Sequence, residues 1–478
     1  MTPPNSANPF QDVAQAMDAA HAAARELVLT FPTRPVGRGV TYDAMEAAFD
    51  DMLPIEGVSA SVALDEWLVR AEPGIVASAG PRFFGWVLGG VTPGAMAGDW
   101  ITSALDQHGM LWASSPAAVQ TEHAVARWLK EMFEIPADWV ATTTSGATMS
   151  NMVGLSAGRQ WVGEQLGFNP ALDGLSGNPL IPVVSSTEIH SSAIKALGHL
   201  GLGKRAVRKV AAPDGAIDLT ALEQELASID GPVLVVANAG EVNSGVFDDL
   251  NGVIDIARAH PSGAWVHVDA AFGLFARLST RTRQLLDGIE RADSIASDAH
   301  KWLNVPYDSG FAFVRQKEPL FRSFSSPAAY LAGAPLELDL DAYVPEMSRR
   351  ARGIAIWCSI KQMGLRGYQE MVDRCLDNAW SFASWIESEP GVELIAPAPL
   401  NIVCWRYTPE GLDETATDQF NRDAVAAIQA DGRAFVSGTV YRGHAGIRCA
   451  FDNWTTTLDD VAILESVVRD IGAKLRTT

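Results

Sequence analysis

Apolar positions recur at helical spacing between residues 9 and 29, where Met17, Ala20, Ala24, Leu27 and Val28 share one face. Pro32, Pro35, Gly37 and Gly39 end that run, a second helical run follows, and the chain turns irregular at Pro73, Gly74, Pro81, Gly85, Gly89, Gly90, Pro93 and Gly94. Helices and loops of this kind cannot bury their own apolar face, so residues 1–90 read as an arm that packs on a partner subunit. Val125, Trp128, Leu129, Met132 and Phe133 mark a further helix. Short β-branched runs then alternate with segments of helical length: Ile181 to Val184, Pro232 to Ala237, Trp265 to Val268 and Phe311 to Val314. That alternation predicts an α/β domain over residues 91–355, with a mostly parallel sheet covered on both faces. Residues 356–478 predict a smaller α+β domain, with a helical stretch and then strands at Val392 to Ile395, Ile402 to Tyr407 and Gly446 to Phe451. A closing helix opens on the capping-box variant Thr457-Leu458-Asp459-Asp460 and places Val461, Leu464, Val468, Ile471 and Leu475 on one face.

Composition narrows the classes of partner. The 478 residues are 47% hydrophobic and 19% charged, enough apolar content for a large core and more than one domain. Asp and Glu number 57 against 36 Lys and Arg, a net charge of −21 with no basic run, which makes nucleic acid and anionic membrane poor partners. Met1 to Ser6 lacks a charged segment leading into an apolar one, and no stretch of about 18 uninterrupted apolar residues occurs, so a cytoplasmic location is expected. Cys358, Cys375, Cys404 and Cys449 lie far apart without C-x-x-C spacing and read as buried free thiols.

The candidate chemistry centres on Ser297-Asp298-Ala299-His300-Lys301-Trp302 and the upstream His267-Val268-Asp269-Ala270-Ala271-Phe272-Gly273. The period of two puts His267 and Asp269 on one face of a strand, near the C-terminal end where ligands bind in open parallel sheets. A lysine after a histidine, with an aspartate at such a strand end, meets the needs of pyridoxal phosphate: an amine to bond the cofactor aldehyde and a carboxylate to keep the pyridine nitrogen protonated. Two other readings stand beside it. Asp269 caps a turn, or His267, Asp269, Asp298 and His300 ligate a metal, against which the adjoining Lys301 ammonium counts. Thr142 to Thr148 is a hydroxyl-rich turn before a helix-compatible run, and its free N–H groups make a phosphate cradle or an ordinary cap. His190 follows a predicted buried strand and either stacks on a planar cofactor or is structural. Gly198 to Lys204 lacks nucleotide-loop spacing and reads as a helix-terminating turn.

Together these residues resemble the pyridoxal-phosphate-dependent group II amino acid decarboxylases, a fold type I family. The likeness runs from Pro81-Arg82-Phe83-Phe84-Gly85 through Ser114 to Ala117, Thr144 to Asn151, His190, His267 to Gly273, Asp298 to Trp302 and Ser348 to Arg352, reaching Asn453-Trp454. The resemblance implies a seven-stranded large domain, a homodimer with shared active sites, and pyridoxal 5′-phosphate as cofactor without a metal. It makes Lys301 the residue that bonds the cofactor, Asp269 the partner of the ring nitrogen, His190 the stacking histidine and Ala271 the contact on the opposite ring face. Ala147, Thr148 and His300 fall near the phosphate, and Tyr330 matches the loop tyrosine that returns a proton to Cα. Trp86, Val87, His108 and Met110 fall in the substrate pocket, the last two reaching the partner's site. Arg349 either binds a carboxylate or forms a structural salt bridge.

Two departures stand out. Met149 replaces a glutamate common in the family, and Asn238 to Asn243 replaces a threonine-rich segment, making Asn238 the candidate for the cofactor 3-hydroxyl. The mostly apolar pocket, without an arginine cluster, points to an aromatic or bulky apolar L-amino acid as substrate. The alternative activity is that of another pyridoxal-phosphate lyase, an aldolase or a decarboxylating aldehyde synthase.

Overall fold

The large sheet is centred on strands that are buried on both faces. The computed structural model of the chain describes residues 9–37, 39–325 and 339–477. Its seven strands are β1 (Val140–Thr144), β2 (Val183–Ser186), β3 (Val207–Val210), β4 (Val233–Asn238), β5 (Ala264–Asp269), β6 (Ser294–Asp298) and β7 (Gly310–Val314), in the order β1-β7-β6-β5-β4-β2-β3. Pairings among β3, β2, β4, β5 and β6 are parallel, and only β7 runs opposite to the rest. Every residue of β4 and β5 is buried, as expected of central strands covered on both faces.

Alternate residues of these strands serve different cores. Val233, Val235, Val266 and Val268 join one core with Val253 and Ile254, whereas Leu234, Val236 and Trp265 join a second with Val153 and Leu155 of the helix Ala147–Gln165. His267 and Asp269 share the parity of Trp265 and so face that helix. Two glycines bring the helix close. A Cβ on Gly154 would sit 2.6 Å from His267 Nδ1, and one on Gly158 would sit 2.6 Å from Leu234 Cδ1.

The second sheet is antiparallel, with β8 (Val392–Leu394), β9 (Ile402–Tyr407), β10 (Ser437–Tyr441) and β11 (His444–Ala450) in the order β10-β11-β9-β8. It shares a third core with helices Gly353–Ser388, Glu414–Asp431 and Leu458–Leu475, through Phe382, Trp405, Ile428, Ile447 and Leu464. Asp460 accepts from both the Thr457 N–H and its hydroxyl, closing the expected cap. Near the N-terminus, helices Pro9–Thr30, Tyr42–Phe49 and Ala60–Ala71 leave Phe10, Met17, Met52, Leu53, Ile55 and Trp67 exposed. Among the described residues no helix is long and apolar enough to cross a membrane.

Four strands escape the apolar pattern. Besides β3 and β10, β1 (Val-Ala-Thr-Thr-Thr) lies where the sequence suggests a turn, and β6 (Ser-Ile-Ala-Ser-Asp) is half polar. Both are buried because their hydroxyls find partners inside: Thr144 Oγ1 lies 2.7 Å from Ser150 Oγ, and Ser297 Oγ donates to the Ala270 carbonyl at 3.1 Å.

Candidate active site

The C-terminal ends of β4, β5 and β6 and the turns after them converge on a cleft. His190, Asn238, Asp269, Ala271 and Lys301 line it, with Glu188, Gly240, Glu241, Val242 and Phe272. Asp269 is held from two sides. Its Oδ2 accepts from Asn151 Nδ2 at 2.8 Å, and its Oδ1 accepts from the Ala271 N–H at 3.2 Å. Such fixation leaves the carboxylate no rotational freedom to lose when it meets a ligand.

His190 precedes the helix Ser191–His199, and its Nδ1 accepts from the Ser192 N–H at 3.2 Å. The ring proton of the neutral form therefore sits on Nε2. Burial, offset in part by Asp269, pulls the His190 pKa below its ordinary value, so the ring is neutral near pH 7.

Lys301 Nζ lies 3.0 Å from Asp298 Oδ2, and Asp298 Oδ1 lies 3.4 Å from His300 Nε2. Burial also lowers the His300 pKa, and its ring stacks on Tyr307 at 4.1 Å. The turn carrying Lys301 is tied down by Asn304, which is fully buried with φ of 54°. Asn304 Oδ1 accepts from the N–H groups of Gly90 at 2.7 Å and Trp454 at 3.0 Å, and its Nδ2 donates to the Asp452 carbonyl at 2.9 Å. One side chain thus joins the end of the arm, the lysine turn and the segment after β11. Gly89 must be glycine, since a Cβ there would fall 1.8 Å from the Lys301 carbonyl oxygen.

The residues present fit pyridoxal phosphate. At the start of the 19-residue helix Ala147–Gln165, Asp298 accepts from the Ala147 N–H. The Thr148 and Met149 N–H groups have no protein acceptor among the described residues and stand at the positive end of the helix dipole, with Thr148 exposed. An anion is accommodated there, while the cleft offers an amine at Lys301 and a fixed carboxylate at Asp269. Asn238, 3% exposed, donates through Nδ2 to Ser186 Oγ at 3.2 Å and faces the same cleft.

Trp86, Val87, His108 and Met110 do not line this cleft of their own chain, and the last two are expected at the partner's. Met110 is fully buried in the second core and Val87 is 4% exposed in the first, because both apolar side chains find neighbours inside their own protomer. His108 Nε2 is engaged by the Met347 carbonyl at 3.1 Å and Ser348 Oγ at 3.0 Å. Trp86 is half exposed, its ring near Phe83 and Phe435. Tyr330 lies outside the described residues.

Arg349 takes the structural alternative. Its guanidinium donates to Glu122 and to the Thr143 carbonyl, with both side chains of the ion pair at most 3% exposed. Arg349→Met is therefore expected to destabilise the protein by about 3–5 kcal/mol, because Glu122 is left buried without its cation. Chemical denaturation measures this, and Glu122→Gln in the same chain restores part of the loss. A rise in KM at unchanged stability would instead place Arg349 at the substrate.

Sequence reading missed Arg448. It is 8% exposed on β11 and donates to the Val242 carbonyl at 3.0 Å, while its Nε has no partner among the described residues. Burial lowers its pKa, and its charge is among those that depress His190. The signal was present, since an arginine inside the apolar run Gly446 to Phe451 is unusual. Asp452 is also buried, its pKa pushed up to about 7 by burial against the pull of Lys301.

Comparison with known proteins agrees with this geometry. The family model described as the pyridoxal-dependent decarboxylase conserved domain matches residues 44–408. An aromatic-L-amino-acid decarboxylase of Bacillus atrophaeus is 28% identical over 398 residues, covering 81% of this chain and 80% of its own. A phenylacetaldehyde synthase of Arabidopsis thaliana is 26% identical over 435 residues, covering 87% and 86%. The crystal structure of Oryza sativa TDC with PLP and tryptamine superposes with a TM-score of 0.90 at 25% identity, over 99% of this chain and 100% of that one. With the family model spanning most of its length and the lysine and aspartate that the cofactor requires facing one cleft, the chain belongs to the pyridoxal-phosphate-dependent amino acid decarboxylases.

Proposed function

We propose that the protein converts an aromatic L-amino acid to its amine and carbon dioxide, with the cleft around Lys301 and Asp269 as the reaction site. The observation that carries this is the convergence of Lys301, Asp269, His190, Asn238 and Ala271 on one small cavity. Bound pyridoxal phosphate supplies an electron-poor ring that accepts the electron pair of the Cα–carboxylate bond. Lys301 would bond the cofactor aldehyde, and Asp298, whose Oδ2 lies 3.0 Å from the Lys301 amine, holds that side chain at the cleft. When the cofactor is bound, Asp269 would keep its ring nitrogen protonated, and neutral His190 and Ala271 would lie against its ring. Ala147, Thr148 and His300 would lie near its phosphate. Arg448, beside Val242 and with an Nε unpartnered among the described residues, orients the substrate carboxylate, and Tyr330 returns the proton to Cα. The likeness to an aromatic-L-amino-acid decarboxylase supports an aromatic substrate.

The same reading divides the chain into an arm (1–90), a cofactor domain (91–355) and a small domain (356–478) of a cytoplasmic homodimer with shared active sites. The exposed apolar side chains of the arm support the dimer, and four free cysteines suit a reducing compartment. The test is a screen of the common L-amino acids with amine and carbon dioxide quantified by mass spectrometry. An aromatic amino acid is expected to give the highest kcat/KM, with stoichiometric amine. Amine from none would overturn the reading, and aldehyde with hydrogen peroxide as main products would replace it with an aldehyde synthase.

A further inference from the structure

We propose that Trp265, Ser294, His267 and Asn151 form a one-way hydrogen-bond relay that fixes Asp269 in place while leaving its whole negative charge for the ring nitrogen. The inference rests on the role given to Asp269 above. The five side chains lie in sequence between β5, β6 and the helix Ala147–Gln165, and none is more than 5% exposed. Donor chemistry sets the direction. The indole N–H of Trp265 can only donate, and Ser294 Oγ accepts it at 3.0 Å. Ser294 turns its own hydrogen to His267 Nδ1 at 2.8 Å, a shorter contact than the 3.4 Å to the Gly154 carbonyl. With Nδ1 accepting, the imidazole proton sits on Nε2 and is donated to Asn151 Oδ1 at 2.8 Å. That contact orients the Asn151 amide so that its Nδ2 points at Asp269 Oδ2, also at 2.8 Å.

Every link in the relay is neutral, and that gives it its effect. A cation at His267 would share the charge of Asp269 and weaken its hold on a pyridinium. Burial takes the His267 pKa down to about 4, and protonation of Nδ1 would break the bond from Ser294. Gly154 keeps the ring where it is, since a Cβ there would crowd both His267 Nδ1 and Ser294 Oγ, at 2.6 and 2.9 Å.

The test compares Asn151→Leu, His267→Leu, His267→Gln, Ser294→Ala and Asp269→Ala in two readouts that need no turnover. These are the Kd of apoenzyme for pyridoxal phosphate and the pH midpoint of the holoenzyme's visible absorbance. Both leucine variants are expected to bind the cofactor about tenfold more weakly, the range typical when a supporting side chain behind a ligand group is lost. Their midpoints are expected to move upward, because a ring nitrogen without its proton no longer opposes protonation of the Lys301 nitrogen. His267→Gln, a neutral side chain with a donor, is expected to stay near the parent, and Ser294→Ala, which removes one oxygen, to shift the midpoint in the same direction by less. Unchanged Kd and midpoint in Asn151→Leu and His267→Leu, or in Ser294→Ala if those do not fold, overturn the relay. Equal damage in His267→Gln and His267→Leu overturns its neutral character. Asp269→Ala separates the two ideas: if it too matches the parent, the assignment of Asp269 fails, and if it alone is impaired, only the relay fails.

Discussion

Lys301→Ala is expected to lower kcat by about 10³-fold or more, on the scale seen when a covalent catalyst loses its nucleophile. The amine at this position has two jobs, and the substitution removes both. Under the proposed function it anchors the cofactor covalently and receives it back when product leaves. Lys301→Arg distinguishes these from simple charge balance, since it keeps a cation near Asp298, whose Oδ2 is 3.0 Å from the lysine amine, but offers no nucleophile at neutral pH. Both variants are expected to lack the visible absorbance of the wild type and to gain no mass on borohydride treatment, whereas the wild-type chain retains the reduced cofactor. A mass gain in Lys301→Ala would show that another lysine serves. Because Gly89 and Asn304 hold the lysine turn through backbone contacts, neither substitution disturbs the fold around it.

Asp269→Ala is expected to lower kcat by about 10²–10³-fold, the cost of removing one preorganised charge aimed at the reacting group. The reason is electronic: without a carboxylate at the ring nitrogen, the ring is a poorer acceptor for the electrons of the Cα bond. Asp269→Asn should be nearly as damaging, since a neutral amide does not hold a pyridinium. The substitution to alanine also leaves Asn151 Nδ2 without its 2.8 Å acceptor, which costs about 1–3 kcal/mol of stability. Steady-state kinetics at saturating cofactor, beside a thermal melt, separates the two effects. A kcat within threefold of wild type would mean that Asp269 does not face the ring nitrogen.

Periodicity and local spacing determined a good deal by themselves. Continuous apolar runs marked β4, β5 and β7 because a strand buried on both faces has no polar side to disguise it. Lys301, His300, Asp269 and His267 were legible because their chemistry is written in adjacent residues, and alternation along one strand put His267 and Asp269 on the same side. β1 and β6 were not legible. Their threonines and serines are buried only because partners far along the chain satisfy them, as Glu122 does for the Thr143 N–H at 3.0 Å. The same long-range pairing decided Arg349, which sequence left between substrate and salt bridge and the structure gives to Glu122. It also moved Met110 and Val87 into cores and brought Arg448, from the other sheet, to the Val242 carbonyl. Sequence by itself determined which groups are candidates for the chemistry, since reactivity belongs to the side chain and its immediate neighbours. Tertiary structure alone decided what each of them touches, because the partners of a buried polar group are chosen by packing between segments that no local pattern connects.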